Sequence, residues 1–155
     1  AVTGWRLGYI IAPTPVATPI RKVHDYMTIC AATPLQAAAV AALNLPPSYF
    51  TEMTAAYHQR RDHMMATLEE VGFNATMPEG AYYTMADYSQ LDIPQAQWNS
   101  PEFANWMTTE IGVAVVPGTS FYSLPGYGVK SVRFAFPKKL ETLRQTNERM
   151  LRMKK

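Results

Sequence analysis

Two arginines stand in surroundings that ask for an anion. Arg6 lies in "AVTGWRLGYIIAP", where Trp5, Tyr9, Ile10 and Ile11 read as an apolar strand. A guanidinium drawn into such a segment needs a carboxylate or a phosphate oxygen, because an unpaired buried charge is too costly to keep. The same residue also reads as a strand-end arginine whose head reaches solvent or a core carboxylate. Arg133 sits in "SVRFAF". Strand alternation puts Val132, Phe134 and Phe136 on one face and Ser131, Arg133 and Ala135 on the other, so this arginine is aimed at something polar. An ordinary solvated arginine would satisfy the same pattern.

Other reactive side chains offer less. His58 and His63 share a predicted helix, but their spacing turns them about 140° apart around the axis, so they do not form a metal-binding face. Cys30 is the single cysteine; it has no partner for an intramolecular disulfide and no basic neighbour in sequence. It reads as a buried thiol rather than a nucleophile.

The elements that must position these groups are punctuated by proline. Thr18-Pro19, Thr33-Pro34 and Ser100-Pro101 each set a hydroxyl before a proline suited to the first helical position, which predicts three helix starts. Gln36 stands three residues after Thr33, as a capping box requires. A longer helix is predicted from Ser48, its stripe formed by Phe50, Met53, Tyr57, Met64, Leu68 and Val71, with Gly72 at the left-handed cap position. Beyond Gly72 the period shortens. "NATMP", "AYYTMADY", "GVAVVPG" and "SVRFAFP" read as strands, a helix from Pro101 to Ile111 falls between the second and third, and a last helix starts near Leu140. Strands and helices alternate without a strict βαβ order, which predicts an α+β layer for residues 46–155. Residues 1–45 read as a strand and two helices belonging to something else.

Composition narrows the function classes. The chain has 155 residues, 48% of them hydrophobic, and its 14 basic and 12 acidic residues are interspersed to a formal charge of +2. Nothing resembles the basic stripe that tracks a phosphate backbone, so nucleic acid is not an expected partner. No apolar run approaches a membrane span and no leader pattern stands at the front, so the expectation is a soluble, cytoplasmic protein without a membrane partner.

The wording of the segments adds what periodicity does not. "TGWRLGY", "TPLQAAAVAAL", "YHQRRDHMMATLEEVGF", "PEGAYYTMADYS", "GVAVVPGTSFY" and "VRFAFPKKLETLRQTNERM" resemble, in that order, the C-terminal part of class I aminotransferases. These are pyridoxal-phosphate enzymes of fold type I, and the wording is most similar to the methionine, kynurenine and glutamine aminotransferase branch. The resemblance covers essentially the whole chain. It implies an α/β architecture: a remnant of the large cofactor-binding domain over 1–45 and the small C-terminal α+β domain over 46–155. It implies transfer of an amino group from an amino acid to a 2-oxo acid, with pyridoxal 5'-phosphate as cofactor in the complete enzyme and a homodimer as the working form.

By the same resemblance Arg6 matches the arginine that holds the cofactor phosphate, and Arg133 the one that grips the substrate α-carboxylate. Tyr82 matches an aromatic near the substrate pocket, though a strand tyrosine is also ordinary core. Ile29 and Cys30 fall where related dimers reach into the neighbouring subunit's site, and Pro117 to Phe121 match a loop bordering the site. One departure is plain. The family's Schiff-base lysine lies a few residues before the position of Ala1, and neither Lys22 nor Lys130 occupies that motif position. The isolated chain is therefore expected to be inactive. The alternatives are a noncatalytic domain of the same fold used for association, and part of a carbon–sulfur lyase of that fold.

Overall fold

A computed structural model describes residues 2–154. The chain divides into two compact units, Ala1–Phe50 and Thr51–Lys155. Ala1 and Lys155, the outer ends of the two domains expected from sequence, lie outside the described residues.

The first unit is helical, with no strand among its described residues. A short 3-10 turn, Thr3–Trp5, leads into extended chain, followed by α1 (Thr14–Thr28) and α2 (Thr33–Leu43). The expected opening strand is absent. A strand needs a ladder partner for its backbone groups, and this unit supplies none. Helix α1 also begins four residues before the predicted Thr18 start. The Thr-Pro pair occurs earlier as Thr14-Pro15, where a missing N–H costs nothing, and the helix continues through Pro19. Helix α2 starts at Thr33 as expected, but its capping box does not form: the Gln36 amide donates instead to Ala31 O at 2.7 Å. None of the described residues of this unit is buried. Cys30 is accordingly exposed, not the buried thiol that sequence suggested.

The second unit is built on a four-stranded antiparallel sheet of order β1-β2-β4-β3, with β1 at Asn74–Ala75, β2 at Tyr83–Asp87, β3 at Val116–Pro117 and β4 at Ser131–Ala135. Helix α3 (Pro47–Val71) precedes the sheet, α4 (Ser100–Trp106) falls between β2 and β3, and α5 (Leu140–Met150) follows β4. Where the predicted stripe of α3 enters this unit's core it is buried, at Met64, Leu68 and Val71, whereas Phe50 is exposed. Gly72 ends the helix at φ 105°, a conformation that a side chain would resist. The Pro101–Ile111 helix is there too. Its cap is Asn99 rather than Ser100: Asn99 Oδ1 accepts from Glu102 N at 3.0 Å while Glu102 Oε2 accepts from Asn99 N at 3.2 Å. Its last turn widens into a π-helical segment, Met107–Ile111.

Alternation along β2 and β4 splits the sheet into two faces. Thr84, Ala86, Val132 and Phe134 are buried on the face that carries the core, with Phe73, Phe103, Met107, Leu143 and Met150. Phe73 meets Phe134 edge-on at 5.5 Å, and Tyr88 stacks on Phe103 at 3.8 Å. Burying each of these large side chains stabilises the unit by roughly 1.5–3 kcal/mol. The opposite face carries Tyr83, Met85, Asp87, Ser131, Arg133 and Ala135, all half-buried.

Candidate functional site

The half-buried sheet face holds Arg133. In register it pairs with Met85 on β2 and Val116 on β3, so it occupies the middle of the sheet, and Tyr83 is its diagonal neighbour, within reach of a long side chain. The Arg133 guanidinium carbon lies 4.1 Å from the centre of the Tyr83 ring and 4.5 Å from that of Phe121. Its Nε is buried and has no hydrogen-bond partner, and Arg133 makes no ion pair among the described residues. A buried unpaired donor costs about 1–3 kcal/mol, and a guanidinium here has its charge directed at no carboxylate of the described chain. The arrangement suits a planar anion arriving from outside, which the five in-plane donors of arginine meet as a fork.

Phe121 reaches Arg133 from a 3-10 turn, Gly118–Phe121, directly after β3. That turn is pinned at two points. Ser100, fully buried at the start of α4, shares a hydrogen bond with the Thr119 hydroxyl at 3.2 Å, and its Oγ accepts from the Thr119 N–H at 3.3 Å. Gly118 also crosses the Gly128 backbone so closely that a Cβ on it would lie 2.3 Å from Ser131 Oγ and 2.5 Å from Gly128 O. The Pro117–Phe121 loop expected beside a site therefore stands beside Arg133.

Just below β4, Tyr88 and Lys130 hold the segments around the strand. The Tyr88 hydroxyl lies 3.0 Å from Trp98 O and 2.9 Å from Val129 O with one proton to share, and Lys130 Nζ donates to Ala96 O at 2.9 Å and to Trp98 O at 3.1 Å. Burial, reinforced by the Asp87 and Glu102 carboxylates, drives the Tyr88 hydroxyl well above the usual tyrosine range.

Tyr82 precedes β2, following Ala81, which adopts a left-handed φ of 59°. Its ring packs 6.4 Å from Tyr57 and 4.2 Å from Tyr83, and it is half-buried against the core. The aromatics stacked on Arg133 are Tyr83 and Phe121, neither of which sequence reasoning singled out by itself. Tyr83 could have been found from the two-residue period, since it shares the parity of the strand face opposite Thr84 and Ala86. Phe121 ends the Pro117–Phe121 loop that the resemblance set beside a site, but its stacking on Arg133 left no trace in the period of the chain, because its approach depends on a turn twelve residues upstream of Arg133.

Arg6, in the first unit, is exposed rather than drawn into a strand. It caps the Thr3–Trp5 turn with φ 52° and ψ 34°, a left-handed conformation that costs a non-glycine residue on the order of 1 kcal/mol. Among the described residues its guanidinium makes one long hydrogen bond, Nη1 to Thr3 O at 3.5 Å, and no ion pair. The fork is thus open to an anion. Ile29 and Cys30, with Leu7, Tyr9, Val40 and Leu43, line an open cleft in the same unit. Ile29 has φ 65° and ψ −66°, and Cys30 N donates to Thr28 O at 2.7 Å, the strained three-residue turn.

The family model for aminotransferase class I and II matches residues 1–148. The chain belongs to this aminotransferase family. The methionine aminotransferase of Escherichia coli (strain K12) is 36% identical over 149 residues, covering 96% of this chain and 37% of that protein. The kynurenine–oxoglutarate transaminase of Dictyostelium discoideum is 30% identical over 174 aligned positions, covering 100% of this chain and 39% of that protein. Among solved structures, YbdL from Escherichia coli, described with a methionine aminotransferase function, superimposes with a TM-score of 0.80 at 35% identity over 97% of this chain and 38% of its own. The fold is therefore that of the fold type I aminotransferases, whose members depend on pyridoxal phosphate. The chain spans 37–39% of the length of these relatives. Their aminotransferase names do not favour the noncatalytic or carbon–sulfur lyase alternatives.

Proposed function

We propose that this chain supplies the anion-anchoring part of a pyridoxal-phosphate-dependent enzyme that transfers an amino group from an amino acid to a 2-oxo acid. The observation that carries the reading is Arg133: a guanidinium flanked by two rings, with a buried Nε and no carboxylate partner among the described residues. Such a group binds the α-carboxylate common to both substrates. By fixing that carboxylate it also fixes the orientation of the α-carbon, and orientation is where much of the rate of a bound reaction originates. Arg6 is the fork for the cofactor phosphate, and its open donors and left-handed backbone support that role. The bound cofactor would supply the electron sink for chemistry at the α-carbon. Tyr82 is assigned to the substrate pocket. A homodimer is the proposed working form, supported by exposed Tyr26, Met27 and Ile29 in the first unit, with the cytoplasm as its proposed setting.

The two arginines separate in a single experiment on a polypeptide that joins this chain to the family's lysine-bearing segment. Arg133→Lys keeps the charge and loses the planar fork, so catalytic efficiency should fall by the equivalent of about 2–5 kcal/mol while cofactor retention stays near that of the parent. Arg6→Lys should first lose pyridoxal phosphate on dialysis. Equal cofactor retention and equal catalytic efficiency in both variants would mean that these arginines are structural.

A further inference from the structure

Resting on the carboxylate reading of Arg133, we infer that Tyr83 and Phe121 are positioning residues that hold its guanidinium in the orientation an incoming carboxylate requires. An arginine has four rotatable side-chain bonds, and a strand backbone fixes none of the outer ones. On an open sheet face its head would sample many directions, and each carboxylate bound would have to halt that motion. Here the head is already halted. Its carbon sits over the Tyr83 ring at 4.1 Å and the Phe121 ring at 4.5 Å, both within the range where the ring quadrupole attracts a cation. With rings against the guanidinium carbon, the donors along its rim are what remains for an oxygen acceptor, and the buried Nε shows how closely the stem is enclosed.

The two rings reach Arg133 by independent routes. Tyr83 belongs to the adjacent strand and is set by sheet register, since Met85 pairs with Arg133 and Tyr83 lies two residues away on the same face. Phe121 is carried by the turn that Ser100 pins through Thr119 and that lies backbone to backbone against Gly128, just before β4. Phe121 is 43% exposed, a poor site for a ring whose only purpose is core packing. A ring left half in water yet stacked on a cation is placed for the cation.

The test uses the 155-residue chain with nitrogen-15 in its arginines, following the Arg133 Nε–H by NMR while sodium propionate is added as the carboxylate probe. In the parent the Nε–H should exchange slowly with solvent and shift on titration. Phe121→Leu, which alters a half-exposed ring and leaves the core intact, should speed that exchange and weaken propionate binding about tenfold, a loss within the range of a desolvated cation–ring contact. Tyr83→Leu should do the same. Phe121→Tyr, which keeps the ring, should restore parental behaviour, a rescue that a merely structural role would not predict when all variants melt alike. If Phe121→Leu exchanges and binds as the parent does, the positioning role is overturned and the carboxylate reading survives. If the parent itself ignores propionate, the carboxylate reading falls, and the inference built on it falls too.

Discussion

Gly118 and Gly128 cross backbone to backbone, so that a Cβ on Gly128 would lie 2.5 Å from Gly118 C and 2.6 Å from Gly118 O. This contact joins the turn that bears Phe121 to the entry of β4, three residues before Ser131, which shares a face with Arg133, begins the strand. Gly128 also has φ 70°, a second reason for a glycine there. We expect Gly118→Ala to destabilise the second unit by about 1–3 kcal/mol, because the obstructing atoms are largely backbone and have nowhere to yield. Denaturant titration checks the stability, and loss of protection at the Arg133 Nε–H checks that the turn has shifted.

Tyr88 makes stability depend on alkali. Its hydroxyl ordinarily ionises near 10 and is held well above that in the fold, by burial first and then by Asp87 and Glu102. The folded state therefore keeps a proton that the unfolded chain gives up. Stability from this group is complete below about pH 10 and declines as pH rises beyond it, by up to about 1.4 kcal/mol per pH unit until the folded group also ionises. Tyr88→Phe should remove this decline. At neutral pH the same variant should cost about 1–3 kcal/mol, since it withdraws the hydroxyl from carbonyls near Trp98 and Val129. Unfolding followed at pH 7, 10 and 11 distinguishes the two effects.

Asn99 and Glu102 form the capping box that starts α4, the helix whose Ser100 holds Thr119. Asn99→Ala is expected to cost about 1 kcal/mol, and Asn99→Ser to recover most of it, because a serine oxygen can accept the same N–H. A thermal melt that does not distinguish Asn99→Ala from the parent would show that another group satisfies the first turn.

The first unit exposes Tyr9, Ile10, Ile11, Tyr26, Met27 and Ile29. Apolar surface on that scale favours association. We expect the 155-residue chain to sediment as a dimer or larger, and Tyr26→Lys combined with Met27→Glu to shift it toward monomer. A concentration-independent monomer for the parent would remove this expectation.

Legibility in the sequence followed how local each feature is. The Met64, Leu68 and Val71 stripe, the stop at Gly72 and the outward parity of Arg133 all arise from the chain's own period, and each stands where that period puts it. The helix cap shows the limit of such reasoning by one residue: Asn99 and Ser100 are both good caps, and Ser100 is drawn away by Thr119, nineteen positions on. The opening segment shows a wider gap. Apolar residues around Arg6 suited a strand, but strand formation is a property of two segments, and its partner is not in the first unit.

What the sequence by itself determined is the kind of chemistry available: an arginine on the polar side of a strand, another between two glycines, and segments worded as an aminotransferase. These depend on residue identity and short spacing. Tertiary structure alone decided which aromatics serve Arg133. Neighbouring Tyr82 and Tyr83 differ in role because strand parity sends them to different surroundings, and Phe121 arrives only because two glycines let one backbone lie against another. A charge on a sheet face acquires its direction from the neighbours across the ladder, and those neighbours are chosen by register and loop closure rather than by adjacency in the chain.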